Sequence, residues 1–183
     1  MKQTVTTTSL EMTTRSELRS AAGERRYTLV RVEIPSPALN RFLYTAVGAR
    51  YCWYSRLSWD YARWLDYLQG PVETWVAYVR GSPAGYFELQ QQAHGNTELA
   101  FFGLLPAFVG QGLGGQLLTD AITRAWDAGA QRVWVHTCDL DHPQALRNYH
   151  GRGFRVFKVE TAVEELPDEP LEPWPGAKVG VPG

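Results

Sequence analysis

The feature that most constrains the fold is a glycine-rich turn that leads directly into an apolar helix. Glycines stand at positions 110, 112, 114 and 115 in the run FVGQGLGGQLL. Apolar residues then recur at a spacing of three to four, which predicts a helix that ends near Gly129. A turn of this kind exposes backbone N–H groups at the positive end of the helix dipole. The turn therefore predicts an anion site, most simply for a pyrophosphate, from which a Cβ at Gly112 or Gly114 would hold the ligand away.

The segments around this turn alternate between strand and helix patterns. Strands are predicted at 27–34, 74–80, 86–91, 98–105, 132–137 and 154–160, and helices at 36–47, from a Ser58 cap to about 68, and at 143–151. The order β-α-α-β-β-β-α-β-α-β predicts the α/β (α+β) class, with a mixed, mostly antiparallel sheet and helices on its faces. Its parallel part begins at the glycine turn.

The 183 residues supply one domain between two tails. Residues 1–25 are rich in Thr, Ser and charge and lack periodicity, so they are predicted to be a loose tail. Residues 26–163 form the single domain, and the proline-rich residues 164–183 form a C-terminal tail.

Charge and hydropathy exclude several classes of function. The 18 basic and 19 acidic side chains give a net charge of −1, which provides no general attraction to nucleic acid or to a membrane surface. The longest apolar run, 99–110, is about half of the ~20 residues that a membrane helix needs. With no signal-like apolar stretch near the N-terminus and only two cysteines, we expect a cytoplasmic protein.

The glycines also allow a dinucleotide-binding interpretation. Gly110, Gly112 and Gly115 fit G-x-G-x-x-G, and Asp139 ends the next strand, where a ribose-binding acid is expected. However, an antiparallel meander precedes this turn, and only 44 residues follow Asp139. In a third interpretation, the glycines serve only close packing between helix and strand.

Two short motifs, V-G-Q-G-L-G at 109–114 and A-L-R-N-Y-H-G-R-G-F at 145–154, resemble those of the GNAT superfamily, the acetyl-CoA-dependent N-acyltransferases. V-G-Q-G-L-G at 109–114 is similar to the [Q/R]-x-x-G-x-[G/A] signature of that family, with Val109 in place of Gln or Arg. A-L-R-N-Y-H-G-R-G-F at 145–154 is similar to A-x-x-x-Y-x-x-x-G-F, and His142 stands where the family often has Asn.

The resemblance implies the GNAT fold, in which a parallel strand pair splays apart. It also implies direct transfer of an acetyl group from acetyl-CoA to a primary amine of a small molecule or peptide. The residues implied as coenzyme contacts are Phe102, Gly103, Leu104, Val109, Gly110, Gln111, Gly112, Gly114, Gly115 and Asn148. A non-catalytic acyl-CoA-binding sensor on the same fold is the alternative. Homodimers are common in the family, and a homodimer is possible here.

Two residues are candidates for proton transfer. Tyr149 matches the tyrosine that donates a proton to the coenzyme sulfur in the family, although a core tyrosine is the alternative. Glu98 lies eleven residues before Val109, the offset at which some members place a catalytic glutamate. Glu88 is the substitute, because the hairpin register is not fixed by the sequence. Either glutamate is alternatively a solvated strand residue.

Aromatic residues crowd the segment between positions 44 and 67, where the family builds its acceptor site. These are Tyr44, Tyr51, Trp53, Tyr54, Trp59, Tyr61, Trp64 and Tyr67. They suit a flat or apolar amine, and core packing is an equally valid interpretation. His136, Cys138 and His142 lack an evident fourth ligand, so no metal is expected.

Overall fold

A seven-stranded sheet forms the centre of the computed structural model, which describes residues 1–167. In chain order the elements are β1 (Lys2–Met12), β2 (Thr28–Arg31), α1 (Pro37–Gly48), α2 (Tyr61–Gln69), β3 (Val72–Val79), β4 (Ser82–Gln91), β5 (Asn96–Leu104), α3 (Leu113–Asp127), β6 (Arg132–Cys138), α4 (Ala145–Gly151) and β7 (Arg155–Glu165). The strand order is β2-β3-β4-β5-β6-β1-β7, in which β5 and β6 are parallel and the other pairs are antiparallel. This confirms the predicted fold class.

The helices begin where side chains accept the first free N–H groups. Ser36 caps α1 ahead of Pro37, as predicted, and its hydroxyl accepts from the Leu39 N–H at 3.4 Å. The cap of α2 is Asp60, because its carboxylate accepts from the Arg63 N–H at 2.8 Å. The predicted Ser58 cap was therefore wrong by two residues. The predicted apolar face of α3 is buried in full: Leu113, Leu117, Leu118, Ala121, Ile122 and Ala125.

The N-terminal residues are not a loose tail. Strand β1 lies between β6 and β7 and pairs with both, and the side chains of Leu10 and Met12 are completely buried. The prediction failed because four threonines dilute the apolar alternation of this strand. Threonine is nevertheless β-branched and favours an extended backbone. The segment after β1 also packs on α3, since the Gln116 amide donates to the carbonyls of Ala21, Ala22 and Gly23.

The C-terminal boundary also differs from the prediction. Strand β7 continues to Glu165, and the Leu166 N–H donates to the Met1 carbonyl at 2.8 Å. Glu164 and Glu165 therefore belong to the sheet, and the remainder of the predicted proline-rich tail, 168–183, lies outside the described residues. Strand β7 lies at one edge of the sheet, and all eleven of its residues are exposed.

The parallel pair separates after three residues. Pairing runs from Asn96 opposite Arg132 to Glu98 opposite Trp134, although β5 and β6 both continue well beyond these positions. A β-bulge at Ala100 shifts the register of β5 against β4. The bulge redirects β5, and a V-shaped gap opens between the two strands.

Helices cover the two faces of the sheet unequally. Helix α3 packs with Leu99 and Val135 in the main core, whereas α1 packs on Val76 and Tyr86 in a smaller cluster on the other face. Within residues 1–167, no helix is both long enough and apolar enough to cross a membrane.

We expect Leu10→Ala to lower the free energy of unfolding by about 2–5 kcal/mol, because it leaves a cavity beneath a central strand. Thr4→Ala, at an exposed position of the same strand, is the matched control and should change stability by less than about 0.5 kcal/mol. Urea unfolding followed by tryptophan fluorescence provides the measurement. Equal midpoints for wild type and Leu10→Ala would contradict a structural role for β1.

Candidate functional site

A cavity of about 1350 Å³ opens where β5 and β6 separate. The edge of β5 from 99 to 104 forms one wall, and residues of β6 and α4 form the opposite wall. The glycine turn and the segment that connects α1 to α2 also line it. Its size is sufficient for an extended ligand together with a small acceptor.

The glycine turn has the backbone that anion binding requires. Gly110 and Gly112 have φ angles of +82° and +76°, in the left-handed region that favours glycine. Gly112 is the N-cap of α3, and within residues 1–167 no side chain caps the free N–H groups of the first helical turn. These donors remain available to a ligand at the positive end of the helix.

Two arginines add positive charge beside this turn. The Arg26 guanidinium donates to the Gln111 carbonyl and lies 3.3 Å from the point where a Cβ on Gly112 would stand. Arg152 lines the cavity beside Gly115, and among the described residues its buried Nε has no hydrogen-bond partner. Neither arginine was predicted from the sequence as a site residue. Arg26 follows a segment predicted to be a tail, and Arg152 occupies a variable position of its motif.

Most of the implied coenzyme contacts line the cavity. They are Phe102, Gly103, Leu104, Val109, Gly110, Gly112, Gly114, Gly115 and Asn148. Gln111 is the exception, since its side chain turns back and donates to the Ala107 carbonyl at 2.8 Å. The Val109 side chain is apolar and 38% exposed, so the positive charge beside the turn comes from the arginines instead.

Tyr149 is buried on α4 and lines the cavity wall. Its ring meets those of Phe102 and Phe154 edge to face, at centroid distances of 6.3 and 6.0 Å. Burial, with a smaller contribution from the charge of Asp141, raises the pKa of the Tyr149 hydroxyl above its usual value. The side chain is therefore held protonated, as a proton donor must be.

Glu98 lies at the closed end of the V-shaped gap and does not line the cavity. Its side chain is 11% exposed, and its carboxylate is 3.2 Å from the His136 Nδ1. The second oxygen accepts from the Gln92 amide at 2.8 Å. His136 does line the cavity, with 50% of its side chain exposed. The hydrogen bond to Glu98 raises the pKa of His136, against an opposing effect of burial.

Glu88, the substitute base, is fully buried and lies away from the cavity. Its carboxylate accepts hydrogen bonds from Arg56 at 2.8 Å, Tyr67 at 3.0 Å and Asn40 at 3.0 Å. The Arg56 guanidinium lies over the rings of Tyr67 and Phe101, at 3.9 and 4.3 Å from their centroids. The substitute assignment was therefore wrong, because Glu88 is the centre of a sealed ion pair.

The aromatic segment divides between core and cavity. Trp64 is buried and does not line the cavity, and Tyr44 is buried and lines it. Tyr51, Trp53 and Tyr54 line the cavity and are partly exposed. Ring contacts join this aromatic wall to β5, since the Trp53 and Phe101 ring centroids are 4.9 Å apart. Core packing and a cavity wall therefore both occur in this segment, and Tyr44 takes part in both.

Asp141 connects this aromatic wall to the end of β6 and was missed by the sequence analysis. Its carboxylate accepts from the Trp53 indole at 3.3 Å and from the Thr137 hydroxyl at 2.6 Å. The neighbouring His142 ring accepts from the Gln144 N–H at 3.0 Å and contacts the Tyr51 ring. Its imidazole thus orders the approach to α4.

Asp139 does not have the geometry of a ribose ligand. Its carboxylate accepts from the Thr6 N–H at 3.2 Å and so ties the end of β6 to β1. The carboxylate that the dinucleotide-binding interpretation assigns to the ribose therefore holds two strands together instead. No group of three or more His, Cys, Asp or Glu residues is placed to hold a metal ion in the part of the chain that the structure describes.

Comparison with known proteins agrees with this geometry. The model of the acetyltransferase (GNAT) family matches residues 39–154, and the chain belongs to that family. No curated protein sequence matches the chain.

Solved structures show the same fold at low identity. A GCN5-related N-acetyltransferase from Sphaerobacter thermophilus is 16% identical with a TM-score of 0.65, and the match covers 87% of this chain and 50% of that one. A GCN5-related N-acetyltransferase from Kribbella flavida is 22% identical with a TM-score of 0.61, over 88% and 58% of the two chains. The chain thus spans little more than half the length of these relatives. An IAA acetyltransferase from Bacillus cereus ATCC 14579 is 23% identical with a TM-score of 0.53, over 72% and 79%.

We expect Arg56→Met to cost about 3–5 kcal/mol of folding free energy, because it leaves the Glu88 carboxylate buried without its cation. The double variant Arg56→Met/Glu88→Gln should recover much of this loss by removing the isolated charge. Arg15→Met breaks an exposed ion pair with Asp127 and should cost less than about 1 kcal/mol. Thermal unfolding of the four proteins tests the order, and a stable Arg56→Met variant would contradict it.

Proposed function

We propose that the chain is an N-acetyltransferase that moves the acetyl group of acetyl-CoA directly to a primary amine of a small molecule or peptide. The observation that carries the proposal is one cavity in which the glycine turn, the unpaired edge of β5 and Tyr149 meet. A reaction in the cytoplasm and a homodimer remain parts of the same proposal.

The residues of the cavity fit an extended thioester with a diphosphate. The free N–H groups of the first turn of α3, with Arg26 and Arg152, would hold the diphosphate. Beyond Glu98, β5 has no ladder partner in β6, so the backbone of Phe102, Gly103 and Leu104 is available to the pantetheine arm. Bound acetyl-CoA would supply the acetyl group as an activated thioester.

The chain must also manage two protons. Tyr149 is protonated within the cavity wall and can donate to the departing sulfur. The amine must lose a proton before it attacks. Glu98 and His136 form an acid–base pair where the pairing of β5 and β6 ends.

The acceptor end of the cavity favours an amine with a flat or apolar substituent. Tyr51, Trp53 and Tyr54 supply aromatic surface, and the Asp141 carboxylate lies beside Trp53. Such a wall attracts an ammonium group before deprotonation. A small molecule or the end of a peptide chain meets these requirements.

Acetyl-CoA and CoA should each raise the melting temperature by several degrees, since a ligand at 100 times its Kd adds about 2.7 kcal/mol. NADH should give no shift, because Asp139 is engaged by β1. A shift with NADH alone would reject the coenzyme assignment.

Arg26→Ala and Arg152→Ala should each weaken CoA binding about tenfold, the value of one lost hydrogen bond to a charged group. Arg15→Met, near the far end of α3, is the matched control and should keep the wild-type Kd. Isothermal titration calorimetry at two salt concentrations measures the Kd for CoA of the wild type, the two arginine variants and the control. Unchanged affinity in both arginine variants would remove them from the diphosphate site.

Tyr149→Phe should lower thiol release roughly 10²-fold, within the range for general acid catalysis, and leave the Kd for CoA within about twofold. The hydroxyl makes the difference, since the ring still packs on Phe102. Thiol release against a broad panel of amines is the assay. Undiminished release would remove the acid role, whereas tight CoA binding with no release from wild type would favour the sensor alternative.

A further inference from the structure

A continuous hydrogen-bond network runs from the sheet to the cavity at the closed end of the gap. The Trp134 indole donates to the Gln92 carbonyl oxygen at 3.0 Å, and the Gln92 amide donates to Glu98 at 2.8 Å. The other oxygen of Glu98 is 3.2 Å from the His136 Nδ1. Both ends of the Gln92 amide are therefore occupied, which fixes its orientation and leaves one Glu98 oxygen for the imidazole.

His136 is the member of this network that meets the cavity. It lies on β6 two residues beyond the last paired position of the parallel strands, and half of its side chain is exposed. Glu98 is nearly buried behind it and does not line the cavity. Resting on the proposed function, we infer that His136 accepts the proton of the acceptor amine and that Glu98 is the positioning residue.

The proton transfer follows from the engaged ring nitrogen. Nδ1 carries a hydrogen toward Glu98, so Nε2 is the nitrogen that can accept a proton. The ammonium of the acceptor gives one proton to Nε2, and its nitrogen lone pair then forms the bond to the acetyl carbon. The carbon–sulfur bond breaks, and the sulfur takes the proton of Tyr149 and leaves as the thiol. The acylated nitrogen then releases the second proton that the amide product does not carry, and this proton restores the Tyr149 hydroxyl. The Glu98 carboxylate stabilises the imidazolium that forms.

The charges around His136 support this role. Glu98 approaches from β5, and Asp141 in the loop after β6 also favours the protonated ring. Toward the edge of the sheet, Ser9 of β1 stands opposite His136 of β6 and opposite Lys158 of β7. The three side chains therefore share one face of the sheet. The Lys158 ammonium is 2.7 Å from Glu160, which compensates its charge. The net field thus favours a proton on His136.

The test combines NMR and kinetics on the full chain. The imidazole signal of His136 is titrated with acetyl-CoA absent, and thiol release is measured from pH 5.5 to 9 with the best amine of a panel. In wild type the rate of thiol release should rise with pH over the same pH range in which the NMR signal shows His136 losing its proton. In Glu98→Gln the rise in rate and the His136 titration should both move to lower pH, because the carboxylate charge that favours the imidazolium is gone.

His136→Gln should lose this limb and fall roughly 10²-fold in rate, with the Kd for CoA unchanged. The matched control is His94→Asn, in an exposed turn outside the cavity, which should keep the wild-type rate and profile. A wild-type profile in His136→Gln would overturn the inference and leave the proposed function intact. So would a rate limb in Glu98→Gln that stays in place while the NMR titration moves. Wild type that binds CoA but releases no thiol would instead reject the proposed function itself.

Discussion

The separation of two parallel strands is the constraint on which the rest of this structure depends. Strands β5 and β6 share only three paired positions, and beyond Glu98 and Trp134 their facing edges diverge. Unpaired backbone in a buried position is costly unless a ligand or water satisfies it. The gap therefore costs sheet stability, and it leaves the edge of β5 from 99 to 104 open to the cavity.

Strand β1 keeps β6 in the sheet where β6 no longer pairs with β5. It pairs with β6 over six positions on the opposite edge and continues against β7. Strand β6 is thus held from one side while its other side opens toward the cavity. The segment after β1 then reaches the glycine turn, where Arg26 contacts Gln111. The N-terminal residues consequently support both the gap and the glycine turn.

The sequence predicted those parts of the site that local patterns encode. The apolar face of α3, the glycine turn and Tyr149 follow from spacing and motif within short segments. Strand β1 did not, because its threonines mask the alternation and its partners are more than 120 residues away. The facing of Glu88 and Glu98 depends on the bulge at Ala100, which changes the register without a local sequence signal.

The two glutamates show how environment separates roles that the sequence left open. Glu88 has a permanent cation, Arg56, enclosed with it by aromatic rings, so neither charge can change without a large penalty. Glu98 has instead a partner whose charge is titratable, and that partner faces the cavity. Only the second arrangement can gain and release a proton during a reaction cycle. A buried carboxylate paired with arginine thus has a permanently charged partner, whereas one paired with histidine has a partner that can change its charge. Here the two kinds lie ten positions apart in the chain.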